Sequence, residues 1–189
     1  QLLSSTKYPP VYRRCLDQLL ARGLAVLSAF TPTDASRILG RCEYGSLEAA
    51  KLGASLWARR LGSSEERASA GVFNQVVVQL GRAVMLKAIA EDSGLDPSSV
   101  QGAGTVFLDR AVGADDAGQF AVTVHMRRPI VAVGAPAATY FPPLAARLQA
   151  SLYIPRFAEV ANAVGAVATG VVQTVRILIR PINWGEAYQ

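Results

Sequence analysis

Cysteine and histidine are both scarce in this chain. Its 189 residues include two cysteines, Cys15 and Cys42, and one histidine, His125. Two cysteines are too few for a disulfide framework and lack the paired spacing of a zinc site, and one histidine excludes a metal site built from several imidazoles. We therefore expect a reducing, cytoplasmic location and no metal held by this chain alone.

Clustered charge and long apolar runs are missing as well. The uncharged stretch 160–175 is shorter than the roughly 20 apolar residues that a bilayer requires, and it contains polar side chains. The net charge of +5 comes from 19 basic and 14 acidic residues, but the basic residues are scattered as singles and pairs. Nucleic-acid binding is typical of clustered Lys and Arg. These patterns predict neither a membrane span nor a nucleic-acid partner.

The signatures of common catalytic and phosphate-binding sites are also absent. The sequence has no Gly-x-Ser-x-Gly motif, no Walker pattern and no Rossmann glycine fingerprint. His125 has no nucleophile motif near it, so a structural or surface role is the favoured interpretation. Asp115 and Asp116 could hold Mg²⁺ or act as an acid–base pair, but a Gly/Asp-rich loop more often only turns the chain. Gln101–Gly104 offers at most a weak nest of backbone donors, and no catalytic residue is predicted.

What the chain does contain is a high share of core-forming residues. Hydrophobic residues make up 51% and charged residues 17%, which indicates a packed globular protein. Residues 1–100 are expected to form a mainly helical subdomain. Caps and hydrophobic spacing predict a short strand over 24–30 and helices over 11–22, 31–39, 46–60 and 64–91.

The predicted secondary structure changes after Gly94. From there strands and turns alternate with shorter helices, which indicates an α/β lobe over 101–189. Helices are predicted at 144–148 and 159–168, and strands at 105–108, 120–126, 130–133, 152–154 and 171–179.

The strand at 130–133 and the turn after it form the candidate binding site. A four-residue apolar run fits a strand buried on both faces, and Gly134, Ala135, Pro136 and Ala137 then let the backbone turn where no bulky side chain would fit. In open α/β sheets, ligands lie beyond the carboxyl ends of such strands. The turn is therefore a candidate nucleotide contact, and an ordinary strand-to-helix turn is the alternative.

The predicted helix at 159–168 has an unusually smooth surface, because half of its residues are Ala or Gly. A glycine inside a helix costs about 1 kcal/mol relative to alanine. Close packing of another helix against Gly165 would offset this cost. An ordinary buried helix is an equally favoured interpretation.

Three stretches of the chain resemble the hydantoinase/oxoprolinase family, whose subunits have the actin-like (ribonuclease H-like) ATPase fold shared with sugar kinases and chaperone ATPases. The second stretch is similar to that family's adenosine-side strand and turn, and the third to its closing helix near the interlobe hinge. Together they imply an α/β, actin-like ATPase fragment with a mainly helical first half. The stretches are Gly23–Leu24 with Ala29–Gly40, Ile130–Ala137, and Pro155 with Glu159–Ala166.

The resemblance also implies roles for individual residues. It places Gly134 and Ala135 near the adenosine or ribose, and the other two turn residues shape the turn. Glu159, Asn162 and Gly165 become hinge-helix residues and not catalysts. ATP and Mg²⁺ are implied as cofactors of an intact enzyme that opens cyclic amides through carbonyl activation.

The family's Asp-Gly-Gly-Thr type phosphate loops do not occur in this sequence, and both ends of the chain look cut. We therefore expect a fragment of an ATP-dependent cyclic-amide hydrolase that is inactive alone, with a second enzyme subunit or a second copy as its partner. The main alternative is a non-catalytic regulatory or reactivating-factor module of the same fold that docks on a partner enzyme. A stand-alone α/β binding domain is a third interpretation.

Overall fold

The computed structural model describes residues 10–113 and 118–168. Most of these residues are helical, and two short strands pair with each other. Single turns of 3-10 helix lie at Pro97–Ser99 and Ala158–Val160. The helices are α1 (Pro10–Ala21), α2 (Pro32–Ile38), α3 (Leu47–Leu61), α4 (Glu65–Ser93), α5 (Ala103–Ala111), α6 (Ala137–Arg147) and α7 (Ala161–Ala168), and the strands are β1 (Ile130–Val131) and β2 (Leu152–Tyr153).

Local sequence signals start and stop the helices of the first half. Thr31 and Asp34 form a reciprocal capping box at the start of α2, and the hydroxyls of Ser46 and Ser64 cap α3 and α4. Gly62 ends α3 in the left-handed conformation, at φ 60°. The predicted helices of the first half are therefore confirmed, with boundaries that differ by one or two residues.

Helix α4 is the central element of the fold. It packs against α2, α3, α5 and α6 and places Phe73, Val77 and Val78 in the core. At Gly81 the helix has no side chain, and an added Cβ would lie 2.9 Å from Val112 Cγ1 and 3.1 Å from Leu144 Cδ1. Both of these neighbours are fully buried. The glycine therefore allows the end of α5 and the middle of α6 to lie directly on the backbone of α4.

A second contact joins α2 to α6. The ring of Tyr140 stacks on Phe73 with 5.0 Å between the centroids, and its hydroxyl donates to the carbonyl of Pro32 at 3.0 Å. The hydroxyl of Ser36, which is buried, lies 2.9 Å from the same Tyr140 oxygen. Burying these polar groups is tolerated because each has a hydrogen-bond partner.

The predicted α/β, actin-like fold is wrong. Among the described residues only β1 and β2 are strands, whereas that fold requires a larger sheet. The β-prone run 105–108 lies inside α5, because Leu108 and Ala111 are buried when the segment packs as a helix. The stretches 24–30 and 120–126 have no strand pairing, and the strand predicted at 171–179 lies outside the described residues.

Helix α6 is longer than the sequence predicts. The predicted helix begins at 144, whereas the observed helix starts at Ala137 and contains Pro142 and Pro143. Proline inside a helix removes a backbone hydrogen bond. Here the burial of Tyr140, Leu144 and Ala145 on one face offsets that loss.

Two alanine substitutions in α4 test the close packing at Gly81. In Gly81→Ala the new methyl group meets Val112 and Leu144, so we expect a net loss of about 1–3 kcal/mol in the free energy of unfolding despite the better helix propensity. Gly71 lies in the same helix and has open space around it. Gly71→Ala should therefore gain up to about 1 kcal/mol. Urea unfolding measures both changes, and equal gains would contradict the close contact.

Candidate functional site

The candidate site is built on a β1–α6–β2 unit. The two strands are parallel, with Ile130 opposite Leu152 and Val131 opposite Tyr153. The N–H of Ile130 donates to the carbonyl of Ser151 at 2.8 Å, and α6 provides the crossover between the strands. Because the strands are parallel, their carboxyl ends meet at the same edge, which is where ligands bind in α/β units.

The predicted binding turn, Gly134–Ala137, lies at this edge. Gly134 has φ 110°, a conformation that favours glycine, and an added Cβ would meet only Pro136 Cδ, at 3.9 Å. Backbone conformation, and not crowding, therefore requires the glycine. The N–H of Ala137 donates to the carbonyl of Gly134 at 3.0 Å and closes the turn. Ala135 and Pro136 are exposed, whereas Ala137 is buried at the start of α6.

Two backbone donors at the turn are free. Within the described part of the chain, no hydrogen bond engages the N–H of Ala135 or that of Ala138 in the first turn of α6. The first N–H groups of a helix have no partner inside the helix, and they favour negative charge. A ligand at this edge would therefore find donors for an oxygen or phosphate group.

The structure brings the predicted hinge helix to the same place. The N–H of Gly134 donates to the carbonyl of Ala158 at 2.7 Å, where the 3-10 turn before α7 begins. Glu159 lies in that turn and Asn162 in the first turn of α7, and both are exposed. An added Cβ at Gly165 would have no heavy atom within 4 Å. The close helix contact proposed for Gly165 therefore stays a prediction.

Sequence reasoning missed Arg156 and Phe157, which directly precede Ala158, the residue whose carbonyl accepts the N–H of Gly134. Phe157 has a left-handed backbone, at φ 66°, and its side chain is 54% exposed. The guanidinium of Arg156 lies 4.8 Å from the centroid of the Phe157 ring. Strained non-glycine residues occur preferentially at functional sites. The sequence shows an Arg-Phe pair after Pro155, but nothing in it marks the left-handed backbone of Phe157.

One face of the small sheet is open. Ile130 and Ala132 are buried, whereas Val131, Val133 and Tyr153 are exposed. The prediction that 130–133 is buried on both faces is therefore wrong, because only the side toward α6 is covered. Parallel sheets in folded proteins usually have both faces covered. The open face is therefore a candidate contact surface.

The other predicted sites add little to this one. His125 is exposed, and the pair Asp115–Asp116 lies outside the described residues. The side chain of Asp96 accepts the N–H of Ser98 at 2.8 Å, and hydrogen bonds from Ser98 lower the pKa of that carboxyl group. The part of the chain that the structure describes holds no group of three or more potential metal ligands.

By length and composition α4 could also cross a membrane, a property that it shares with core helices of soluble proteins.

Comparison of the chain with protein-family models, with curated proteins and with solved structures gave no match. Function must therefore be inferred from the site itself and from the residues that carry the resemblance.

Phe157 offers a test of backbone strain at the site. A non-glycine residue in the left-handed region lowers the free energy of unfolding by about 1 kcal/mol relative to glycine. We therefore expect Phe157→Gly to be more stable than Phe157→Ala by about 1 kcal/mol in urea unfolding, because only glycine relieves the strain. Equal stability of the two variants would show that the backbone at this residue is relaxed.

Proposed function

We propose that this chain forms the adenosine-side wall of a nucleotide-binding site in a longer, cytoplasmic, ATP-dependent enzyme that opens cyclic amides, of the hydantoinase/oxoprolinase type. One observation carries the proposal. At the carboxyl edge of two parallel strands, the N–H of Gly134 in the Gly134–Ala137 turn donates to the carbonyl of Ala158, and the exposed Phe157 directly precedes Ala158. The proposal uses this local unit and not the larger α/β fold that the sequence suggested.

The residues at this edge suit a nucleoside. Phe157 and Val133 expose apolar surface on which a purine base can stack or pack. The free N–H groups of Ala135 and Ala138 can donate to ribose or phosphate oxygens, and Arg156 supplies a positive charge in the segment that leads to Ala158. An aromatic surface, backbone donors and a cation are therefore all within one small unit.

The proposal assigns this chain binding and positioning, not chemistry. Bound ATP with Mg²⁺ would supply the activation of the amide carbonyl. The hinge role that the resemblance implies for Glu159, Asn162 and Gly165 belongs to the larger two-lobed fold and is not part of this proposal.

Gly134→Trp in the full-length protein tests the nucleotide site. The indole would project from the turn into the space that the nucleoside occupies, so we expect at least a tenfold loss of ATP affinity in calorimetry and loss of ATP-dependent hydrolysis of hydantoin and 5-oxoproline. Gly62→Trp is the matched control, because Gly62 also has positive φ and open space but lies at the end of α3. Equal affinities of the two variants for ATP would contradict the proposal, and so would failure of the unmodified protein to bind ATP.

A second candidate function is docking on a partner subunit or on a second copy, and the open sheet face favours it. Val131 and Tyr153 lie opposite each other on that face, and both are exposed. We expect Val131→Asp to weaken assembly, measured by sedimentation, while ATP affinity is retained, because a buried charge without a partner is strongly unfavourable. Thr123→Asp, which makes the same charge change at another exposed position before the strand, is the control. Unchanged assembly in Val131→Asp would contradict this function.

A further inference from the structure

A second concave site lies away from the β1–α6–β2 unit, between the chain before α2 and the helix α3. The cleft has a volume of about 480 Å³. This volume falls within the roughly 300–1,000 Å³ typical of small-molecule sites. None of its lining residues belongs to the proposed nucleotide site. Residues 28–30 and Asp34 line one side, and the other side is lined by six residues of α3, namely Ala49, Leu52, Gly53, Leu56, Trp57 and Arg60.

Close packing of Phe30 on Gly53 shapes the cleft. An added Cβ at Gly53 would lie 2.9 Å from Phe30 Cδ2, so the ring rests on the backbone of α3. Leu52 and Leu56 are one helical turn apart and are 69% and 67% exposed. Together with Trp57 they give the cleft an apolar and aromatic wall. Such a wall suits a flat, apolar group.

Two charged side chains line the cleft, Asp34 and Arg60, and they differ in the contacts that they already make. The carboxylate of Asp34 is held at the start of α2, because its Oδ2 atom accepts the N–H of Thr31 at 2.8 Å and the Thr31 hydroxyl at 2.7 Å. Arg60 forms no ion pair with any described residue, and its guanidinium lies 5.8 Å from the centroid of the Trp57 ring. The cleft therefore presents one available cation beside an aromatic wall. This combination is complementary to an anion.

We propose that this cleft binds a small aromatic carboxylate. The ring of the ligand lies against Trp57 and Leu56, and its carboxylate pairs with the guanidinium of Arg60. Arginine matches the geometry of a carboxylate through two parallel N–H donors, which explains why this end of the cleft selects an anion. The site is independent of the nucleotide site, so either one can exist without the other.

The test uses 3-phenylpropanoate as the probe and its neutral amide, 3-phenylpropanamide, as the matched ligand. Binding is followed by the shift of the Trp57 indole N–H resonance in the ¹⁵N-labelled full-length protein. The variant Trp184→Phe assigns that resonance, because the chain has two tryptophans. We expect saturable binding of the carboxylate, and at least tenfold weaker binding of the amide.

Two arginine variants complete the test. Arg60→Gln should weaken binding of the carboxylate at least tenfold and leave binding of the amide unchanged, because only the charge pair is lost. Arg59→Gln is the control, since Arg59 is exposed on the same helix but does not line the cleft. Equal affinity for carboxylate and amide, equal effects of the two variants, or no saturable shift with up to about 10 mM probe would each overturn the proposal. ATP as a third ligand should leave the Trp57 resonance unchanged; saturable binding of ATP in this cleft would overturn its assignment to carboxylates.

Discussion

The absence of a side chain at Gly81 is the constraint on which the rest of the structure depends. Val112, at the end of α5, and Leu144, in the middle of α6, both lie against the backbone of α4 at this residue. Protein interiors are packed at the density of organic crystals, so even one added methyl group must move its neighbours. Close packing at Gly81 thus sets the position of α6 on α4, and α6 in turn carries the Gly134–Ala137 turn at its start.

Polar contacts hold α6 at its first turn and at its last turn. In its first turn Tyr140 binds the carbonyl of Pro32 and the hydroxyl of Ser36, and in its last turn Arg147 donates to the carbonyl of Val112 at 3.0 Å and to the side chain of Asn74. Directional hydrogen bonds in such partly buried positions favour one arrangement of the helices, because moving α6 would break several of them together. The candidate nucleotide site therefore rests on a helix that is held by apolar packing and by directional bonds.

The parts of the fold and of the candidate site that could be predicted from the sequence are those whose signals lie within a few neighbouring residues. The capping box of Thr31 and Asp34 and the caps at Ser46 and Ser64 are local, and the helices that they start were predicted correctly. The helix at 103–111 was not, because its Thr, Val and Phe residues favour strands and only burial of Leu108 and Ala111 against the helical core makes it a helix. The turn at Gly134 was found because glycine marks it. Phe157 was missed because a left-handed phenylalanine has no sequence signature, and the cleft at Arg60 was missed because its walls come from two separate segments.

The small sheet cannot itself hold the candidate nucleotide site in place. Two parallel strands of two residues each supply few backbone bonds, and so small a sheet has little independent stability. Ile130 and Ala132 are nevertheless buried, because α6 and the core cover one side of the strands. Helix packing therefore imposes the strand geometry, and the strands only orient the turn and the Arg156–Phe157 segment toward the same edge. A change on the open face of the sheet or in Phe157 then acts mainly on what the surface binds, whereas a change at Gly81 acts on the scaffold that positions it.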